Sequence, residues 1–134
     1  MRFIPIFVLG ALIASGTAAH AADCANAATQ MAMNACAGED FQAADARLNE
    51  VYRDVAGRLR GEDAQRARLA AAETAWIKFR DTECDFATGL FEGGSILPTL
   101  VSQCQAKLTT ERTKQLQAYL RCREGDLGCP VPPR

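Results

Sequence analysis

Four polar side chains stand in or next to the apolar stripes of a helical pattern. Asp45 and Asn49 are one helical turn apart, while Arg80 and Arg112 interrupt two later apolar stripes. A carboxylate that meets two guanidinium groups forms either a recognition site or a buried ion-pair network that sets how the helices align. Because arginine is always charged, it serves poorly as a general acid or base. We therefore interpret this group as a structural polar cluster.

The residues that catalyse hydrolysis in many enzymes are missing from the mature chain. The one histidine, His20, lies in a segment that we expect to be removed on export. Without an imidazole, Ser-His-Asp and Cys-His catalysis and histidine metal sites are excluded. Asp81, Glu83 and Asp85 alternate, so on a helix they point in different directions and do not form a glycosidase pair. We expect no enzyme, no metal and no other cofactor.

A short glycine-rich segment from Gly89 to Leu97 breaks the helical pattern. It resembles a contact loop, and loops held on rigid scaffolds commonly carry binding residues. Its apolar side chains require either a partner or a place in the core, and both outcomes stay open. It lacks the glycine spacings that hold phosphate groups. The candidate binding residues are Phe91, Gly93, Gly94, Ser95 and Ile96.

Long helical patterns surround this loop. Apolar residues spaced three and four apart predict a long helix on each side of Gly61. We expect a break or kink at Gly38, between a short first helix and the longer one that ends before Gly61. Pro98 is placed where the first turn of a third helix would begin. Strand-like alternation is absent, so the expected fold is all-α: an antiparallel helical hairpin plus a third long helix, cross-linked by disulfides.

The second predicted helix contains the only tryptophan. Trp76, Arg80 and Cys84 are spaced i, i+4 and i+8 and share one face. In a hairpin that turns near Gly61, Arg80 comes level with Asp45, so the two side chains should meet. The predicted inward positions of this helix are Leu69, Ala72, Trp76, Phe79, Arg80, Glu83 and Ala87.

Six cysteines in a short exported chain indicate a disulfide framework with 15 conceivable pairings. Hairpin geometry places Cys36 and Cys84 at similar heights, which favours Cys36–Cys84 and leaves Cys24–Cys104 as the next pair. A kink at Gly38 would shift this register and exchange partners among these four. Cys122–Cys129 is expected to close a local loop in the proline-rich end of the chain.

The N-terminus has the features of a secretory signal peptide: Arg2, an apolar run from Phe3 to Ile13, and a small-residue site that ends at Ala21. The predicted organisation is a signal peptide at 1–21, a helical domain at 22–121 and a disulfide-closed tail at 122–134. Asp23, rather than a small residue, precedes Cys24, so we expect a periplasmic or secreted protein without a membrane anchor. Cleavage takes the net charge from −1 to −2 with the arginines scattered, which gives no basic patch for nucleic acid.

Five blocks in this order resemble the LprI-type lysozyme inhibitor family. They are NAATQMAMNACA after Cys24, AADARLNEVYRDV, AETAWIKFRDTEC, GGS and LTTERTKQL, and they span about residues 24 to 120. The resemblance implies an exported helical protein that inhibits lysozyme. The positions that match the family pattern are Asp45, Leu48, Asn49, Tyr52, Trp76, Arg80, Gly94, Ser95 and Arg112.

From the resemblance we expect an inhibitor that occludes the cleft of a cell-wall hydrolase. The loop from Gly89 to Leu97 would enter the cleft, with Ser95 supplying a hydrogen bond and Phe91 or Ile96 an apolar anchor. The alternative is a periplasmic envelope module that binds another protein without inhibitory or enzymatic activity.

Overall fold

The computed structural model describes residues 24–132, and the predicted signal peptide at 1–21 lies outside this range. Three long helices form the domain: α1 (Gln30–Arg58), α2 (Asp63–Thr88) and α3 (Leu97–Leu120). Single 3-10 turns precede α1 at Cys24–Asn26 and follow α2 at Gly89–Phe91. The described chain contains no strand, which confirms the all-α prediction. Among these residues no helix is long and apolar enough to cross a membrane.

Local signals in the sequence set the helix ends. The Thr29 hydroxyl caps α1 by accepting a hydrogen bond from the Ala32 amide at 3.1 Å. Between α1 and α2, Gly61 has φ +90°, a conformation that glycine adopts without the steric cost of a Cβ. Pro98 occupies the first turn of α3, where its missing N–H would have no helical partner.

The predicted break at Gly38 is wrong, because α1 runs without interruption through this residue. A glycine inside a helix costs about 1 kcal/mol relative to alanine. Here the two preceding residues, Cys36 and Ala37, are buried. The burial of these neighbours stabilises the helical conformation at this point and outweighs the low helix propensity of the glycine.

The core lies mainly between α1 and α3, which pack against each other along most of their lengths. α2 packs beside α3 and approaches α1 chiefly through long side chains. Thr109 and Thr113 are buried on α3, and such short side chains allow helix axes to approach closely. The segment after α3 folds back onto the helices and contributes a buried Val131. The buried core cluster comprises Leu48, Val51, Val55, Leu59, Leu116 and Val131.

Two of the three predicted disulfides are wrong. The structure pairs Cys24 with Cys36 and Cys84 with Cys104, instead of Cys36 with Cys84 and Cys24 with Cys104. The chain before α1 folds back along the first turns of that helix, and α2 lies beside α3 rather than directly against α1. Each bridge therefore joins the nearest backbone. The predicted Cys122–Cys129 bridge is confirmed.

The buried face of α2 is narrower than predicted. Ala72, Glu83 and Ala87 are exposed, and Phe79 is 51% exposed. The predicted shared face of Trp76, Arg80 and Cys84 is confirmed, since Arg80 and Cys84 are buried and Trp76 packs against the core. The inward side of α2 extends this stripe in both directions, since Leu69 packs against the core, Glu73 bonds Arg112 of α3 and Thr88 is buried.

Candidate functional site

The predicted polar cluster forms only in part: Asp45, Asn49 and Arg80 come together, whereas Arg112 pairs with another carboxylate instead of Asp45. The Arg80 side chain is 9% exposed, and its Nη1 lies 3.4 Å from Oδ1 of Asp45. Arg80 Nε donates to Oδ1 of Asp81 at 2.8 Å, and Asn49 donates to the second oxygen of Asp45 at 2.9 Å. The meeting of Asp45 and Arg80, expected from hairpin geometry, therefore occurs, and the buried guanidinium has two carboxylate partners.

Aromatic rings enclose the same guanidinium. The Arg80 Cζ lies 5.0 Å from the ring centre of Phe41 and 5.4 Å from that of Trp76. Arg112 approaches the Trp76 ring as well, at 5.9 Å. These distances fall within the range of cation–π attraction. Trp76 thus connects the two arginines, although each has its own anionic partner.

The partner of Arg112 is Glu73, which the sequence analysis did not select. Arg112 Nε and Nη2 donate to the same oxygen of Glu73 at 3.0 and 2.9 Å, and Nη1 donates to Gln115 at 2.6 Å. Both ionic side chains are nearly buried, with 9% and 12% of their areas exposed. Glu73 precedes Trp76 by three residues on the inward face of α2, and this spacing could have revealed it. The cluster is a set of paired charges, which suits a structural role.

The loop from Gly89 to Leu97 lies at the end of the domain where α2 finishes and α3 begins. Every residue from 89 to 96 is exposed. Leu90 is 99% exposed, Phe91 48% and Ile96 39%. The apolar side chains of the loop are therefore on the surface rather than in the core. Leu90 was not among the predicted binding residues, yet it is the most exposed of these three.

Two glycines are required by the geometry of the loop. Gly93 has φ +78°, in the left-handed region that favours glycine. At Gly94 a Cβ would lie 3.0 Å from the carbonyl oxygen of Phe91, which already accepts a hydrogen bond from the Gly94 amide at 2.9 Å. The Leu97 amide then donates to the Gly94 carbonyl at 3.1 Å. The loop is a compact turn with internal hydrogen bonds.

Hydrogen bonds from α1 fasten the loop to the domain. Asn34 Nδ2 donates to the Ser95 carbonyl at 3.3 Å, and Asn34 Oδ1 accepts from the Thr99 hydroxyl. Gln30 Nε2 donates to both Asn34 and Thr99, at 2.9 and 3.0 Å. The Cys84–Cys104 disulfide closes the base, since one cysteine precedes the loop and the other follows it. In residues 24–132 the Ser95 hydroxyl has no protein partner, so it can bond to another molecule.

The described chain offers no site for a metal ion: residues 24–132 contain no suitable group of three or more His, Cys, Asp or Glu side chains. The fold and the loop define an all-α, disulfide-linked domain that presents a rigid surface loop.

Comparison with known proteins identifies its family. The family model described as "Lysozyme inhibitor LprI" matches residues 21–116, so the chain belongs to the LprI lysozyme inhibitor family. This confirms the resemblance of the sequence blocks. The chain is also 38% identical over 113 residues to an uncharacterised protein of Rhizobium meliloti, covering 76% of this chain and 81% of the relative. No solved structure matches the chain.

Proposed function

We propose that the protein is an exported inhibitor of lysozyme, and that the loop from Gly89 to Leu97 occludes the substrate cleft of the enzyme. Membership of an inhibitor family supports the activity. The observation that carries the proposal is the surface exposure of a firmly held loop with apolar side chains. Large apolar side chains that stay in water on a small domain commonly mark an interaction surface.

The loop is pre-organised for binding. A loop that is already ordered loses little conformational entropy when it binds, so more of its contact energy appears as affinity. The hydrogen bonds from Asn34 and the Cys84–Cys104 bridge provide this order. Phe91 and Leu90 would supply the apolar anchors and the Ser95 hydroxyl a hydrogen bond, while the convex loop fits a concave cleft.

The proposal needs no catalysis by this protein. In the polar cluster Arg80 and Arg112 are each paired with a carboxylate, which favours a role in aligning the helices. Export through a signal peptide that ends at Ala21 would place the mature protein, a helical domain at 22–121 with its tail at 122–134, in the periplasm or outside the cell. Enzymes that cleave the cell wall act there.

The test is a lysis assay with oxidised, purified protein of residues 22–134 in molar excess over lysozymes of several structural types. We expect the wild-type protein to slow lysis by at least one type. The double variant Phe91→Ala/Ser95→Ala should inhibit about 100-fold less well, the loss typical of truncating a central anchor.

A matched pair of leucines provides the control. Leu90 and Leu127 are both fully exposed, but Leu127 lies in the tail beyond the other end of α3. Leu90→Ala should weaken inhibition and Leu127→Ala should not. Unaffected lysis with every lysozyme type contradicts the proposed function. Inhibition that survives Phe91→Ala/Ser95→Ala contradicts only the assignment to the loop.

A further inference from the structure

The charges of the chain are distributed very unevenly, although their sum is close to zero. No lysine or arginine occurs between Arg80 and Lys107, a span that includes the loop. The carboxylates in that span are Asp81, Glu83, Asp85 and Glu92. Residues 24–46, which begin α1 at the same end of the domain, contain acidic residues and no basic one. The loop end is therefore acidic.

An apolar surface lies at this same end. Phe86, in the last turn of α2, is 83% exposed, and Leu90 in the following 3-10 turn is 99% exposed. These two apolar side chains are four residues apart at one end of the domain, and apolar residues that form a patch mark interaction surfaces more often than single exposed ones do. What covers them must tolerate, or be attracted by, the negative charge around them.

A recess next to these side chains shows which charge would fit. It encloses about 280 Å³ between the end of α2, the loop and the start of α3. Leu97 and Val101 provide an apolar wall, and Asp85 and Glu92 are its charged groups. An apolar wall with carboxylates suits a lysine or arginine side chain, whose stem is aliphatic and whose head is cationic.

The protein does not neutralise these carboxylates itself. Among the described residues, neither Asp85 nor Glu92 forms an ion pair. The last turn of α2 also lacks the basic residue that would complement the negative end of the helix dipole. Both features favour a cation supplied from outside the chain.

We propose that the apolar loop end docks on a basic surface of the bound lysozyme, with a lysine or arginine side chain of that enzyme in the recess beside Asp85 and Glu92. The inference rests on the proposed function and adds the chemistry of the partner. Apolar contact from Phe86 and Leu90 would supply affinity, while the carboxylates select basic lysozymes and speed their association.

The test compares two double variants, each of which neutralises one Asp and one Glu, at opposite ends of the domain. Asp85→Asn/Glu92→Gln neutralises the recess, and Asp54→Asn/Glu124→Gln neutralises an exposed Asp and Glu in the other half. Biosensor binding to a basic lysozyme is measured from low to physiological salt. The recess variant should bind at least about tenfold more weakly, through slower association and a flatter salt dependence. The control should stay within about twofold of the wild type.

The outcomes separate this inference from the proposed function. If the wild type inhibits lysis but the recess variant and the control variant bind the basic lysozyme equally well, the basic partner is ruled out and the inhibitory function still stands. Binding that depends on Asp85 and Glu92 without any effect on lysis supports the surface and contradicts inhibition. No binding of the basic enzyme by wild type overturns the inference, as does equal affinity for an acidic lysozyme. Zwitterionic lipid vesicles are a further probe. If they bind the wild type and Leu90→Ala abolishes this binding, the apolar side chains dock on a membrane and the inference is overturned.

Discussion

Charged side chains are paired in one region of the domain, around Trp76 of α2, and unpaired in another, at the loop end that follows α2. Around Trp76 the guanidinium groups of Arg80 and Arg112 are nearly buried, and each is bonded to a carboxylate. At the loop end, Asp85 near the end of α2 and Glu92 in the following loop are exposed and have no basic partner among the described residues. A buried charge must be paired, because leaving it unpaired costs several kcal/mol. An exposed charge carries no such requirement and remains available to another molecule.

This difference divides the helix into a structural part and a binding part. The Trp76 cluster holds α2 against its neighbours through Asp45, Glu73 and the aromatic rings. The loop end then presents apolar and acidic side chains from a fixed position. Substitutions in the first part should change the free energy of unfolding, and substitutions in the second should change binding. Three predictions test this division.

The largest effect is expected from Glu73→Ala, which leaves the buried guanidinium of Arg112 without its carboxylate partner. Breaking a buried pair from one side costs about 3–5 kcal/mol, measurable by urea unfolding. Asp45→Ala is the matched control, because the Asp45 side chain is 43% exposed and Arg80 keeps Asp81 as a partner. The control should cost less than about 1 kcal/mol. If Glu73→Ala and Asp45→Ala lower the free energy of unfolding equally, burial does not make the Glu73–Arg112 pair more important for stability than the Asp45–Arg80 pair.

The next effect comes from Cys84→Ser/Cys104→Ser. Opening a loop of 20 residues should cost about 3 kcal/mol of stability and also weaken inhibition, because this bridge closes the base of the binding loop. Cys24→Ser/Cys36→Ser should cost somewhat less and leave inhibition closer to wild type, since its 12-residue span excludes the loop. Inhibition that is lost equally in both variants would contradict a special role for the first bridge. Peptide mapping of the oxidised protein should recover both bridges.

The smallest effect is expected from Asn34→Ala. Its side chain bonds the Ser95 carbonyl and Thr99, so its removal should lower the free energy of local opening of the loop by about 1 kcal/mol. Hydrogen exchange at the Gly94 and Leu97 amides should become faster. Asn49→Ala is the control, because Asn49 bonds only the partly exposed Asp45 in the other region. Unchanged exchange in Asn34→Ala would mean that the loop is held by its own hydrogen bonds alone.

Local patterns in the sequence predicted much of this architecture. The three helices, the turn near Gly61, the shared face of Trp76, Arg80 and Cys84, and the meeting of Asp45 with Arg80 are all present. These features depend on residue spacing within a helix and on the height of residues in a hairpin. Both follow from the fixed rise and periodicity of the α-helix.

The features that sequence reasoning missed depend on how the helices are arranged in space. The disulfide pairs required knowing that α2 lies beside α3 and that Cys24 folds back onto α1. The continuity of α1 through Gly38 and the burial of Thr109 arise from tight packing between α1 and α3. Helical periodicity places residues on a face, but it does not say which neighbour that face will meet.

The division between the two regions is tested most directly by one calorimetric titration into a basic lysozyme, with Phe91→Ala/Ser95→Ala and Glu73→Ala compared with the wild type. At a temperature where all three proteins are folded, Glu73→Ala should bind with wild-type affinity. Phe91→Ala/Ser95→Ala should bind about 100-fold more weakly despite unchanged stability. Wild-type affinity in the loop variant, together with lost binding in Glu73→Ala, would place the binding site at the Trp76 cluster and contradict this account.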